Sequence, residues 1–169
     1  MKFVILSNSH ESILNFRKEL ILEIQNKGYE ICIIAPKISS SKNLMKFLYA
    51  HNMKFFEIDI NRSSMNVFSE LRYFFRLMYL LMKIKPKGIL TYTIKPNLYG
   101  MIASYFLQVP AKFAMITGLG YLFRSKSNSI FAGVLKYLYG KSLNKADVIF
   151  FQNMDDLNTL IKLKVLSHK

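Results

Sequence analysis

The chain has 169 residues, of which 51% are apolar and 20% charged, a composition that predicts one folded domain and excludes a disordered chain. Lysine and arginine outnumber aspartate and glutamate by 24 to 10, so the net charge of +14 predicts anionic partners such as phosphorylated substrates or an acidic membrane. The single cysteine excludes a disulfide framework, and the longest uncharged run, residues 96–111, is too short to span a bilayer.

Short apolar runs alternate with longer amphipathic segments along the whole chain. The apolar runs predict six strands, at residues 2–7, 29–35, 54–60, 89–93, 111–117 and 147–152. The intervening segments predict helices at residues 9–27, 42–51, 65–85, 97–108 and 129–143, with a last helix after residue 153. A strand followed by a helix, repeated about six times, predicts an α/β fold: a Rossmann-like parallel sheet with helices on both faces.

Asparagines stand at the predicted starts of the first and last helices. Asn8 precedes Glu11 by three residues, a spacing that predicts a capping box for the first helix. Asn153 precedes Asp156 by the same distance, and we interpret this pair as a helix cap rather than a substrate contact.

Ligands of parallel sheets bind at the carboxyl ends of the strands, so the loop after the fourth strand is a candidate site. This loop sets the Thr93 hydroxyl and the Lys95 ammonium group beside a predicted helix start at Asn97, a place suited to a phosphate or a sugar. The alternative is that Asn97 only caps the helix and Lys95 is solvated.

The loop after the fifth strand contains two glycines, Gly118 and Gly120, which let backbone amides approach a ligand closely. A plain turn is the alternative, because glycine is also common in turns without a ligand.

Several familiar motifs are absent from the sequence. No Gly-x-Gly-x-x-Gly follows the first strand, where the polar run from Ser7 to His10 stands instead, and no P-loop is present. These absences argue against a dinucleotide dehydrogenase and a P-loop ATPase. The three histidines have no acidic partner nearby in sequence, and the prediction includes no metal and no cofactor.

The positive charge is concentrated between Glu70 and Asp147. Residues 71–146 contain 12 Lys or Arg and no carboxylate, whereas the rest of the chain contains 12 basic and 10 acidic residues. The same segment is rich in Tyr, Phe, Met and Leu, a mixture that suits a membrane interface, although a solvated basic face is the alternative. The residues predicted to face the membrane are Arg72, Arg76, Lys83, Lys85, Lys126, Lys136 and Lys141.

Three segments resemble bacterial glycosyltransferases of the GT-B fold: TYTIKPNLYG at residues 91–100, ITGLGY at 116–121 and FFQNMDD at 150–156. They are similar in particular to the retaining, family-four type, which builds capsule, lipopolysaccharide O-antigen and N-glycan precursors on a lipid carrier. Members have an acceptor-binding and a donor-binding Rossmann-like domain. The resemblance implies that residues 1–169 form the acceptor-binding domain and that the C-terminal donor-binding domain is absent from this chain.

Two features of the family are not matched. The Glu-x7-Glu donor signature belongs to the second domain, and we interpret Glu11 and Glu19, which share this spacing, as solvated charges of the first helix. Many members carry a histidine where this chain has Thr117, so the catalytic residues are unassigned. In retaining members the donor phosphate is thought to assist the reaction.

The resemblance also implies how the loops are used. The turn after the first strand would lie at the domain cleft near the reacting sugar. Thr93 and Lys95 would hold acceptor hydroxyls or the lipid diphosphate, and Gly118 and Gly120 would let their loop approach the acceptor. The predicted substrate-binding residues are Ser7, Asn8, Ser9, Thr93, Lys95, Thr117, Gly118 and Gly120.

The sequence therefore predicts the acceptor-binding domain of a glycosyltransferase, cytoplasmic and peripheral on the inner face of the cytoplasmic membrane. Its predicted partners are an undecaprenyl-diphosphate-linked sugar, an anionic membrane surface, and a nucleotide sugar bound through the missing domain or a partner chain. The transferred hexose or N-acetylhexosamine would enter a surface polysaccharide or glycan. The alternative is a non-catalytic, membrane-recruiting subunit of a split glycosyltransferase. The net charge leaves a nucleic-acid binder as a further alternative. Nucleic acid is not a predicted partner, however, because no recognised binding motif is present and the basic segment is rich in aliphatic residues.

Overall fold

A computed structural model describes residues 1–60, 67–119, 123 and 130–166, the side chains of 130–132 excepted. The strands are β1 (Lys2–Leu6), β2 (Glu30–Ala35), β3 (Lys54–Glu57), β4 (Gly88–Tyr92), β5 (Ala111–Ile116) and β6 (Val148–Phe151). The helices are α1 (Glu11–Asn26), α2 (Lys42–Ala50), α3 (Val67–Ile84), α4 (Ile94–Phe106), α5 (Ile130–Leu143) and α6 (Met154–Lys162), with a 3₁₀ turn at Ile38–Ser40.

The six strands form one sheet in the order β3-β2-β1-β4-β5-β6, and each neighbouring pair is parallel. This confirms the predicted Rossmann-like α/β fold. The order reverses between β1 and β4. These strands are neighbours in the sheet, where Phe3 pairs with Gly88, although they are far apart in sequence. Such a reversal opens a crevice at the carboxyl ends of the two strands, where parallel α/β sheets bind ligands.

Helices cover both faces of the sheet. Val4 and Leu6 of β1 point into a core cluster shared with α3, α4, α5 and α6, whereas Phe3 and Ile5 point into a second cluster shared with α1 and α2. The central strands are buried on both faces, which is why they are continuous apolar runs rather than alternating ones.

Helix α4 lies unusually close to the sheet at Gly100. A Cβ atom at this position would lie 2.6 Å from Thr91 Cγ2 and 2.8 Å from Leu6 Cδ2, so only glycine fits without displacing the side chains of β1 and β4. This close packing fixes the N-terminus of α4 at the crevice.

The helix starts differ from the predicted ones in two places. Helix α1 begins at Glu11, and its N-cap is His10, whose side chain makes no capping hydrogen bond, so the predicted N-cap at Asn8 is wrong. Helix α4 begins at Ile94, so Asn97 lies inside the helix and the predicted cap there is also wrong. The predicted starts at residues 65 and 129 lie outside the described residues.

The predicted cap of the last helix is confirmed. The Asn153 side chain accepts a hydrogen bond from the Asp156 N–H at 2.8 Å, and its amide donates to the Asp156 carboxylate at 2.9 Å. Among the described helices, none is long and apolar enough to cross a membrane.

Candidate functional site

Three loops meet at the edge of the sheet formed by the carboxyl ends of the strands, called the carboxyl edge below. Strands β1, β4 and β5 are neighbours, so the turn after Leu6, the N-terminus of α4 and the loop after Ile116 lie side by side. The sheet thereby brings together the three loops in which the sequence placed substrate-binding residues.

The turn after β1 is held by its own serines. The Ser7 hydroxyl accepts a hydrogen bond from the Ser9 N–H at 3.0 Å and donates to the Ser9 carbonyl at 2.8 Å. Both serines are buried, while Asn8 between them is half-buried. The serines therefore shape the turn, and Asn8 is the more accessible of the three predicted residues.

Thr93 has a strained backbone at the start of α4. Its φ of 75° and ψ of 165° are uncommon for a residue other than glycine, and its hydroxyl oxygen is buried with no hydrogen-bond partner in the described part of the chain. Strain and an unsatisfied hydroxyl at a strand end are features that recur where a backbone is shaped for a ligand.

Asn97 is fully buried in the first turns of α4. Its side-chain oxygen accepts from the Thr91 hydroxyl at 2.6 Å, and its amide donates to the Met115 carbonyl at 3.0 Å and to the Tyr139 hydroxyl at 3.4 Å. Burial raises the pKa of Tyr139 to about 12, so this phenol stays protonated. Asn97 thus connects β4, β5 and α5 instead of contacting a ligand.

Lys95 is not solvated, and that alternative is therefore wrong. Its Nζ lies 2.5 Å from Glu70 Oε1, and the two side chains are only 12% and 17% exposed. Glu70 belongs to α3, so the pair joins the N-terminal parts of α3 and α4 at the carboxyl edge. The Glu70 carboxylate therefore neutralises much of the positive charge of Lys95.

A cavity of about 210 Å³ opens beside this ion pair. Glu70, Arg72, Tyr73 and Arg76 of α3 contribute to its lining. The Tyr73 hydroxyl is buried without a partner among the described residues, and burial raises the pKa of Tyr73 well above its usual range. The cavity is therefore lined by a neutral phenol, two arginines and the carboxylates of Asp59 and Glu70.

The loop after β5 leaves room for a ligand at Gly118. This residue has a φ of +131°, and a Cβ atom added to it would meet nothing within 4 Å. Thr117 beside it is half-buried. Gly120, the other predicted glycine, lies outside the described residues.

The predicted membrane residues lie on the layer formed by α3, α4 and α5. Arg72, Arg76, Lys83 and Lys85 are exposed on or just after α3. On α5, Lys141 is exposed and lies over the Tyr137 ring at 5.4 Å, whereas Lys136 is half-buried and lies 5.8 Å from the Phe123 ring centroid. The remaining predicted residue, Lys126, lies outside the described part of the chain.

Helix α3 also exposes a row of large apolar side chains at helical spacing, called the apolar stripe below. Its members are Phe68, Leu71, Phe75, Tyr79 and Met82, which are 84%, 48%, 64%, 58% and 49% exposed. Steps of three and four residues place these side chains along one line of the helix. The stripe runs beside exposed arginines, as in proteins that lie on membrane surfaces.

The chain matches a known family over most of its length. The sequence profile of a family described as Glycosyl transferase 4-like matches residues 4–153. The chain belongs to this family. The resemblance seen in the three loop segments is thereby confirmed, and the glycosyl transferase 4-like match runs from within β1 to the end of β6.

One curated relative of this glycosyl transferase 4-like chain is N,N'-diacetylbacillosaminyl-diphospho-undecaprenol alpha-1,3-N-acetylgalactosaminyltransferase of Campylobacter jejuni subsp. jejuni serotype O:2. The two sequences are 25% identical over 171 residues, an alignment that covers 100% of this chain and 44% of the relative. The chain thus spans less than half the length of the curated relative that it matches.

Solved structures share the fold at low sequence identity. MurG of Acinetobacter baumannii superimposes with a TM-score of 0.57 at 14% identity, covering 90% of this chain and 42% of MurG. The lipopolysaccharide outer core galactosyltransferase WaaB gives 0.59 at 11% identity, covering 99% and 45%. The UDP-GlcNAc 2-epimerase of Methanocaldococcus jannaschii gives 0.64 at 16%, covering 97% and 44%. These matches show the Rossmann-like fold of the glycosyl transferase 4-like chain.

Proposed function

We propose that this chain is the acceptor-binding half of a glycosyltransferase that extends a sugar linked to a polyprenyl diphosphate. The observation that carries the proposal is the relative aligned along the whole chain, whose name specifies a diphospho-undecaprenol-linked acceptor. The transferred group is a hexose or N-acetylhexosamine supplied by a nucleotide sugar, and the product is a precursor of a surface polysaccharide or glycan. The donor is held by a second domain or a partner chain.

In the proposed transfer reaction, the acceptor-binding half forms no covalent bond with either substrate. A glycosidic bond forms between an acceptor hydroxyl and the anomeric carbon of the donor, the bond from that carbon to the nucleotide diphosphate breaks, and the acceptor hydroxyl loses its proton. The acceptor-binding half has to orient the hydroxyl and exclude water. Three observations at the carboxyl edge support this role: the accessible Asn8 side chain, the unsatisfied Thr93 hydroxyl and the open approach to the backbone at Gly118.

The test separates acceptor binding from transfer. The purified chain is titrated in detergent with N,N'-diacetylbacillosaminyl-diphospho-undecaprenol, with the lipid diphosphate lacking the sugar as the reference, and is then incubated with a radiolabelled nucleotide-activated N-acetylgalactosamine. We expect saturable, sugar-dependent binding and no transfer. Binding that does not depend on the sugar would contradict the acceptor role, and turnover by the chain alone would contradict the assignment of the donor to another domain.

We further propose that the chain is peripheral on the inner face of the cytoplasmic membrane, with the apolar stripe of α3 towards the lipid. A polyprenyl-linked acceptor stays in the bilayer, so its reacting sugar is reached from the membrane surface. The stripe supplies apolar area for the interface, and Arg72, Arg76 and Lys83 on the same helix supply charge for lipid phosphates.

Reversing two charges on α3 is expected to weaken binding to anionic vesicles. Each basic residue near such a surface contributes about 1 kcal/mol, so Arg72→Glu with Arg76→Glu should reduce vesicle affinity by about thirtyfold or more. Co-sedimentation with phosphatidylglycerol-containing vesicles measures the effect, with phosphatidylcholine vesicles as the neutral reference. Binding of the unchanged chain should fall as salt rises.

Helix α2 offers a matched control for this charge reversal. Lys42 and Lys46 have the same four-residue spacing, are exposed, and lie on the opposite face of the sheet. Lys42→Glu with Lys46→Glu should leave vesicle binding nearly unchanged. Equal losses in the two double variants would show that net charge, rather than the α3 surface, drives binding.

A further inference from the structure

Arg17 of α1 is a buried cation without a carboxylate partner. It is only 9% exposed, and no Asp or Glu among the described residues forms an ion pair with it. Its Nη1 donates to the Phe16 carbonyl of its own helix at 2.8 Å, and its guanidinium carbon lies 5.0 Å from the centroid of the Tyr92 ring. A guanidinium group remains charged at any physiological pH, so a buried positive charge is left unmatched.

The unused donors of Arg17 share one edge of the guanidinium plane. No described residue accepts a hydrogen bond from Nε or Nη2, and Nε is also shielded from solvent. The N–H groups of Nε and Nη2 point in the same direction, so they can donate two parallel hydrogen bonds to two oxygens of one phosphate or carboxylate. Native proteins rarely leave such a donor buried and unsatisfied unless a ligand, water or ion completes the site.

The Tyr92 side chain beside Arg17 belongs to a row of hydroxyl groups, in which Ser12 also donates to the Ser9 carbonyl at 2.8 Å. The Tyr92 hydroxyl accepts from the Ser12 hydroxyl at 3.4 Å, and Ser12 lies 3.1 Å from the Ser7 hydroxyl. Tyr92 is the last residue of β4, so the arginine and this row of hydroxyls lie beside the crevice between β1 and β4. In contrast, Lys95, which is 12% exposed at the carboxyl edge, is already paired with Glu70.

We propose that Arg17 binds a diphosphate group, with Tyr92 fixing the plane of its guanidinium. This inference rests on the proposed function for the biological source of the diphosphate, since a polyprenyl-linked acceptor and a nucleotide sugar both carry one. The planar fork of arginine matches two oxygens of such a group, and a preformed, unmatched charge attracts an anion more strongly than a charge already paired in the protein.

A binding role and a structural role of Arg17 predict opposite effects on stability. If the charge is kept for a ligand, Arg17→Met removes an unmatched buried cation and keeps the apolar stem, so the Tm of the ligand-free chain should stay equal or rise. If the residue is structural, the same change loses its stacking on Tyr92 and its hydrogen bond to Phe16, and the Tm should fall.

The experiment combines calorimetric titration with thermal unfolding of the full chain. Inorganic pyrophosphate, farnesyl diphosphate and UDP are the probes. Arg17→Met should weaken pyrophosphate binding at least tenfold, and Arg17→Lys should weaken it less because the charge is kept without the fork. The neighbouring Lys18→Met removes the same charge from an exposed position and should change the affinity less than twofold. Tighter binding of farnesyl diphosphate indicates the lipid-linked acceptor as the source, and tighter binding of UDP indicates the nucleotide sugar.

Two results would overturn the assignment. The first is pyrophosphate affinity that is equal in Arg17→Met and the unchanged chain. The second is a chain that binds none of the three probes, whatever the Tm of Arg17→Met. If Arg17→Met does not fold, the site is tested by the ¹⁵Nε chemical shift of Arg17 in the unchanged chain. This resonance should shift when pyrophosphate is added. A resonance that does not shift would refute the site. None of these results would contradict the proposed function, because the proposed function is tested separately by sugar-dependent binding of the lipid-linked acceptor.

Discussion

Replacing Asn97 by alanine is expected to lower the free energy of unfolding by about 2–4 kcal/mol. The side chain is fully buried, and its loss leaves the Thr91 hydroxyl, the Met115 carbonyl and the Tyr139 hydroxyl without the partners they have in the folded chain. Each unsatisfied buried polar group costs about 1–3 kcal/mol, and the three costs are not fully additive, since the groups share one cavity.

Urea unfolding measures this effect, and the chain supplies an exposed comparison. Asn153 also hydrogen-bonds through its side chain, but at the solvent-exposed start of α6. Asn153→Ala should cost about 1 kcal/mol, the usual value for a lost helix cap. A cost for Asn97→Ala no greater than that for Asn153→Ala would contradict the interpretation of Asn97 as the connection between β4, β5 and α5.

Lys95→Met is expected to be nearly as destabilising, by about 2–4 kcal/mol, because it leaves the Glu70 carboxylate buried and unpaired. Glu70→Leu should cost a similar amount for the converse reason. The double variant should recover most of the loss, since two apolar side chains replace the pair without leaving a charge. A double-mutant cycle in urea measures the coupling between the two residues.

The pair of Lys54 and Glu30 is the matched control for this cycle. Its Nζ–Oε1 distance is also 2.5 Å, but the side chains are 59% and 39% exposed. Breaking this pair should leave the free energy of unfolding nearly unchanged, because exposed ion pairs contribute little. Equal couplings in the two pairs would show that burial does not strengthen the interaction of Lys95 with Glu70.

The same double variant separates the structural role of Lys95 from its predicted role in acceptor binding. Lys95→Met with Glu70→Leu restores packing but removes the ammonium group. Unchanged affinity for the lipid-linked acceptor would assign Lys95 to the joining of α3 and α4 alone. Reduced affinity in a stably folded double variant would support contact with the acceptor.

The architecture followed from the sequence because the strands are local, nearly continuous apolar runs bounded by polar or glycine residues. The alternation with amphipathic helices was sufficient to predict a parallel sheet covered on both faces. The parallel arrangement also predicted that the loops after the strands share one edge. The order of the strands was not predicted, because it depends on contacts between distant residues such as Phe3 and Gly88.

The roles of individual polar residues were harder to predict, since their partners are remote in sequence. Asn97 looked like a helix cap because local spacing cannot reveal Tyr139, 42 positions away. Glu70 is 25 positions from Lys95. The sequence indicated no role for Arg17. Its interpretation depends on the Tyr92 ring beside it and on the lack of an ion pair with any described Asp or Glu.

The pairing of β1 with β4 sets the order in which this sheet becomes complete during synthesis. Strand β2 pairs with both β1 and β3, but β1 has only one neighbour until residues 88–92 have left the ribosome. For that interval its other side presents unpaired N–H and C=O groups on an apolar strand, the kind of edge that joins other chains. The nascent chain is therefore prone to misassembly at this edge until β4 has emerged, and a ribosome pause before that point would prolong the exposure.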